Sequence, residues 1–130
     1  QFPGFIHHAA RANPEVLKLM AACDVFVLPS LAEGRALVMQ EAMSCGLPLV
    51  ITHNTGGGDL VEDGSAGFLV PVRDPQAIAE KLECLARDRS LLEEMSLAAL
   101  KKARSLSWAD YRLRIVEVVT GSMSALGRFG

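Results

Sequence analysis

The sequence predicts an α/β domain built on a parallel sheet with flanking helices. Three observations carry that expectation. The short, continuous apolar runs Val25–Leu28 and Leu49–Ile51 have the unbroken hydrophobicity of strands buried on both faces. Segments whose apolar residues recur at helical spacing lie between and after them, and such alternation closes into parallel strand pairs. The scale also fits: 130 residues, 50% hydrophobic and 22% charged, can bury the core of one domain and are too few for two.

In chain order, the opening QFPGFI reads as the end of a strand, Phe2–Ile6, so the chain is expected to be a fragment of a longer protein. Asn13-Pro14 predicts a helix start, with Asn as N-cap and Pro at the first helical position. Val16, Leu17, Met20 and Ala21 then share one face. The Val25–Leu28 strand follows and Pro29 stops it. ALVMQEAMSC reads as a helix closed by Gly46 and Pro48, and Leu49-Val50-Ile51 as the next strand. Residues 52–58, THNTGGG, form a turn-rich loop, Asp59–Glu62 a helical turn, and Gly67–Val70 a further strand. Asp74-Pro75 repeats the cap-plus-proline opening, and Ile78, Leu82 and Leu85 line one face of its helix. Ser90-Leu-Leu-Glu93 has the form of a capping box. Ser107 is expected to cap a last helix carrying Trp108, Tyr111, Ile115, Val118 and Val119 at helical spacing, before a frayed tail at 127–130.

Composition removes several functions. Thirteen basic against fifteen acidic residues give a net charge of −2, which argues against nucleic acid or an anionic membrane surface as main partner. The longest apolar runs span a few residues, whereas a membrane helix needs roughly 18. No charged stretch followed by an apolar one opens the chain, so no secretory signal is expected. Cys23, Cys45 and Cys84 form no CxxC and sit in apolar helical contexts, so they are read as buried thiols of a reducing compartment. The expected location is cytoplasmic. Peripheral contact of a longer parent with the inner membrane face is left open.

In parallel sheets, ligands bind where the carboxyl ends of strands meet helix N-termini. The loop after Leu28 reads PSLAEGRALVMQEAMSCG. Gly34-Arg35-Ala36 lies at the coming helix's N-terminus, where free N–H groups and the dipole favour an anion. Glu33 precedes it, and Glu41 follows on the second turn beside Met39, Ala42 and Met43, an apolar setting for a carboxylate. Two carboxylates flanking an anion site suit a ligand with both phosphates and hydroxyls, such as a sugar nucleotide. The plainer alternative makes Glu33 a helix-dipole partner and Glu41 a solvated helix residue. Arg35 is either a phosphate contact or an ordinary surface residue. His7 and His8 read as exposed loop residues, while His53 lies nearer the site. No Asp-x-Asp or His cluster is present, so no metal is implied.

The run VFVLPSLAEGRALVMQEAMSCGLPLVIT resembles the C-terminal domain of GT-B glycosyltransferases of the retaining family 4, or group 1, type. Their pattern is matched at Pro29, Ser30, Glu33, Gly34, Glu41, Ala42, Met43, Gly46 and Pro48. Downstream, NTGGGDLVEDGSAGFLVPVRDPQAIAEKL is similar to the family's glycine loop, acidic turn, strand and helix, and SLSWADY to the start of its last helix. The E-x7-E block with its flanks is specific; the bare spacing is weak.

The resemblance implies that residues 1–126 are part of a Rossmann-like nucleotide-sugar-binding domain, with an acceptor domain upstream. It implies that Glu33, the expected catalytic residue, contacts the transferred sugar beside the amides of Gly34, Arg35 and Ala36. Glu41 is implied to accept from the nucleotide ribose, and Thr55 and Gly56 to open a second wall of the donor pocket that runs to Asp59. Two departures stand out: Arg35-Ala36 replace the family's aromatic and Gly, and T-G-G-G-D replaces G-G-x-P-E. The alternatives within the fold are a sugar-nucleotide epimerase or a glycogen-type synthase; outside it, a non-catalytic nucleotide-binding partner subunit. In the doubly wound order 3-2-1-4-5-6 the neighbour of Val25–Leu28 would lie upstream. An open apolar edge is therefore expected there, and self-association through it, unless the Phe2–Ile6 strand fills the gap.

Overall fold

In the computed structural model, residues 3–32 and 37–106 are described. Three parallel strands, β1 (Phe26–Leu28), β2 (Leu49–Thr52) and β3 (Gly67–Val70), form a sheet in the order β1-β2-β3. Leu28 pairs with Ile51, and Ile51 in turn with Leu69. Every residue of β2 is buried, as its position between two neighbours and two helical layers requires. Leu49 and Ile51 face one layer with Met20, Met39 and Met43; Val50 faces the other with Phe68, Val70, Leu85 and Met95. Each such aliphatic side chain contributes about 1.5–3 kcal/mol by leaving water.

The helices are α1 (Asn13–Ala21), α2 (Leu37–Ser44), α3 (Pro75–Arg87) and α4 (Arg89–Ser105). The end of α2 is set by glycine. Gly46 has φ +79°, the N–H of Gly46 donates to Met43 and that of Leu47 to Ala42, the paired bonds of a Schellman motif. Gly67 answers to close approach instead: a Cβ there would lie 2.0 Å from the Leu49 carbonyl oxygen. Asp74 caps α3 by accepting from Ala77 N–H at 2.9 Å. Ser96 on α4 donates to the Gly46 carbonyl at 2.6 Å, tying α4 to the turn after α2.

Several expectations are corrected. Residues 3–6 form no strand: Gly4 sits in a turn at φ +79°, residues 5–12 have no regular structure, and Phe5 and Ile6 are 65% and 74% exposed. No strand among the described residues lies beside them, and a strand without a partner leaves its backbone polar groups to water. The gap at β1 is therefore not filled by this segment: among the described residues β1 pairs on one side only, the open edge that was expected, and is half-buried although its apolar run implied burial on both faces. The N-cap of α1 is Ala12 and not Asn13, which is the first helical residue because the Ala12 carbonyl accepts the opening bonds from Glu15 and Val16. Ala21 turns outward at the helix end. Ser90 does not start α4; Asp88 does, accepting from Leu91 N–H at 3.0 Å. Cys23 and Cys84 are exposed and Cys45 is half-buried, because Cys23 follows the last turn of α1 and Cys84 lies on the outer face of α3. The expected Trp108 helix and the 126/127 boundary lie outside the described residues. No described helix is long and apolar enough to cross a membrane.

Candidate functional site

Parallel pairing brings the carboxyl ends of β1 and β2 to one edge of the sheet. From Leu28 the chain enters Pro29–Ala32; from Thr52 it enters a single 3₁₀ turn, His53–Thr55, and Gly56 at φ +65°. Side chains of the second loop latch the first. The Thr52 hydroxyl donates to the Ser30 carbonyl at 2.5 Å, and the Asn54 amide to the Leu31 carbonyl at 3.0 Å. The segment that leads into Glu33 is thus held from the neighbouring strand. Glu33, Gly34, Arg35 and Ala36 themselves lie outside the described residues.

Glu41 stands on α2, half-buried, while Met39, Ala42 and Met43 on the inner side of the same turns are fully buried. Its Oε1 accepts from Asn13 Nδ2 at 2.6 Å. Helix α1 precedes β1 and runs back along the sheet, so its start lies at the strands' carboxyl edge, on the same side as the start of α2. Asn13 thereby meets Glu41 across 28 residues of sequence.

Thr55 faces inward. It is fully buried, main chain included, and its hydroxyl donates to the Thr52 carbonyl at 2.9 Å. Gly57 is pressed against the core: a Cβ there would come within 2.6 Å of Ile51 Cδ1 and 2.9 Å of Met39 Sδ. Gly56 and Gly58 are exposed. His53 is exposed on the 3₁₀ turn; His7 and His8 are exposed in the opening segment, with Arg11 Nη2 3.4 Å from His8 Nδ1. Among the described residues, no three His, Cys, Asp or Glu side chains converge as a metal site.

Two clefts are seen among the described residues. One, of about 400 Å³, is at the amino ends of the strands, between Cys23, Cys45 and Arg89, whose guanidinium is 3.7 Å from Asp24. The other, of about 500 Å³, separates the Gly58–Glu62 turn from Lys101 and Lys102 on α4. Neither contains Glu41. The latch residues Thr52 and Asn54 and the Asn13 contact were absent from the sequence expectations. A polar residue ending a fully apolar strand was the one available signal, and it pointed to Thr52.

The sequence model of the family Glycosyl transferases group 1 matches residues 1–88. A D-inositol 3-phosphate glycosyltransferase of Paenarthrobacter aurescens is 35% identical over 102 residues, 78% of this chain and 25% of that protein. Sucrose-phosphate synthase 4 of Arabidopsis thaliana is 35% identical over 106 residues, 81% of this chain and 10% of that protein. Among solved structures, HepE of Anabaena in complex with UDP-glucose superposes with a TM-score of 0.73 at 29% identity, over 80% of this chain and 29% of its own. The sucrose-phosphate synthase of Thermosynechococcus elongatus gives a TM-score of 0.78 at 25% identity, over 90% and 30%. The chain thus spans about a quarter or less of the length of these curated relatives. Parallel sheet, helical layers and sequence agree: the chain belongs to the group 1 glycosyltransferases and has the fold of the C-terminal-type domain of a GT-B enzyme.

Proposed function

We propose that this chain is the donor-binding domain of a retaining, family 4 type glycosyltransferase, and that it holds a nucleoside-diphosphate sugar at the carboxyl edge of β1 and β2. The observation that carries the proposal is Glu41: a half-buried carboxylate over a methionine core, at the edge where parallel sheets bind ligands. The UDP-glucose in the HepE complex supports the ligand class. Glu41 accepts from the ribose hydroxyls. The amides of Gly34, Arg35 and Ala36 at the opening of α2 receive the negative charge that grows on the departing diphosphate. Glu33 binds the hydroxyls of the transferred sugar and holds it in line. Gly56, exposed beside the buried Thr55, forms the facing wall with its main chain.

Retention requires the acceptor to arrive on the face that the nucleotide leaves, so the acceptor is delivered by a further domain of the whole protein. The test is a nucleotide-sugar panel with the full-length protein, followed by NMR of the product's anomeric centre. The expected product keeps the donor's configuration. An inverted product contradicts the retaining assignment; nucleotide binding without turnover favours a non-catalytic partner subunit.

A further inference from the structure

Asn13 is the first helical residue of α1; the N-cap is Ala12, whose carbonyl accepts from Glu15 and Val16 N–H. Asn13 thus stands one residue past the position from which an Asn side chain caps its own helix. The side-chain amide is turned to a different helix and donates to Glu41 Oε1 at 2.6 Å. An amide donating to a carboxylate is a charge-assisted bond, shorter and stronger than a neutral one. A carboxylate has about four lone-pair sites; one is taken by Asn13, and enough remain for the two hydroxyls of a ribose diol.

We propose that Asn13 is a positioning residue for nucleotide recognition: it pins one oxygen of Glu41 so that the carboxylate is already oriented when the ribose hydroxyls arrive. Left alone, a Glu side chain on a helix surface samples several rotamers and loses that freedom on binding. Asn13 removes the freedom beforehand, and the benefit appears as affinity. The inference rests on the reading of Glu41 as the ribose contact.

The test is calorimetric titration of the full-length protein with UDP and with 2′,3′-dideoxy-UDP, which lacks both hydroxyls. Asn13→Ala is expected to weaken UDP on the order of tenfold and to leave dideoxy-UDP unchanged. In a Glu41→Ala background the same substitution adds no further loss. Asn13→Asp, which sets a second carboxylate against Glu41, weakens UDP more than Asn13→Ala does. Asn13→Ser keeps a residue that suits a helix start but is too short to reach, and repeats the Ala result if that variant folds poorly. A merely structural tie between α1 and α2 would lower the melting temperature and either spare UDP or weaken both nucleotides equally; either outcome overturns the inference. If Asn13→Ala is neutral while Glu41→Ala still weakens UDP selectively, the inference fails and the Glu41 reading stands. If Glu41→Ala leaves UDP unaffected, both fail. Should UDP not bind, GDP and ADP with their dideoxy forms take its place; absence of binding to all three contradicts the proposed function itself.

Discussion

Two regions of this molecule use polar side chains in opposite ways. In the layer formed by α3 and α4, Asp74 and Asp88 accept from N–H groups of the helices they open, at 2.9 and 3.0 Å. At the carboxyl edge of β1 and β2, side chains of the same kind leave their own element. Asn13 reaches Glu41, Thr52 reaches Ser30 and Asn54 reaches Leu31. The first arrangement stabilises elements one at a time. The second fixes loops and a carboxylate relative to one another. Polar side chains serve a single element in the first region and join separate elements at the proposed site.

The largest effect should come from the sheet that both regions share. Gly67→Ala would bring a Cβ within 2.0 Å of Leu49 O and 2.7 Å of Leu49 N. The β2–β3 pairing must part, at a cost of about 3 kcal/mol or more, read as a collapse of the urea midpoint. Thr52→Val removes the latch to Ser30 at similar volume and should cost about 1–2 kcal/mol in the same assay. Because it frees the loop before Glu33, it should also weaken donor binding. Asp74→Ala and Asp88→Ala should each cost about 1 kcal/mol of stability. Neither should change nucleotide affinity, and a change would erase the contrast between the regions. Removing the exposed Glu83–Arg87 pair with Glu83→Gln should be nearly silent, since both partners are in water.

The sheet and most helices were legible because their signals are local. Apolar runs marked β1 and β2, Asp74-Pro75 marked α3, and Gly46 marked the end of α2. The failures also have local causes. Ser90 and Asp88 both suit a cap, and the earlier one takes the helix. The apolar residues of QFPGFI imply a strand only if a neighbour is there to pair with it. The inward turn of the Thr55 hydroxyl toward Thr52 depends on the 3₁₀ turn, which the loop composition does not announce. At the site, Glu41 could be singled out by its apolar turn and its motif. Asn13 could not, because its bond depends on how α1 packs against α2, which no window of sequence contains.

Whether nucleotide is held at the carboxyl edge is read by calorimetric titration of UDP into the full-length protein and two variants. Glu41→Gln should weaken binding by about 1.5–3 kcal/mol, on the order of ten- to a hundredfold. Asp88→Ala, a change of comparable size in the other region, should leave affinity unchanged. A folded Glu41→Gln protein that binds UDP as tightly as the unaltered one would contradict the account.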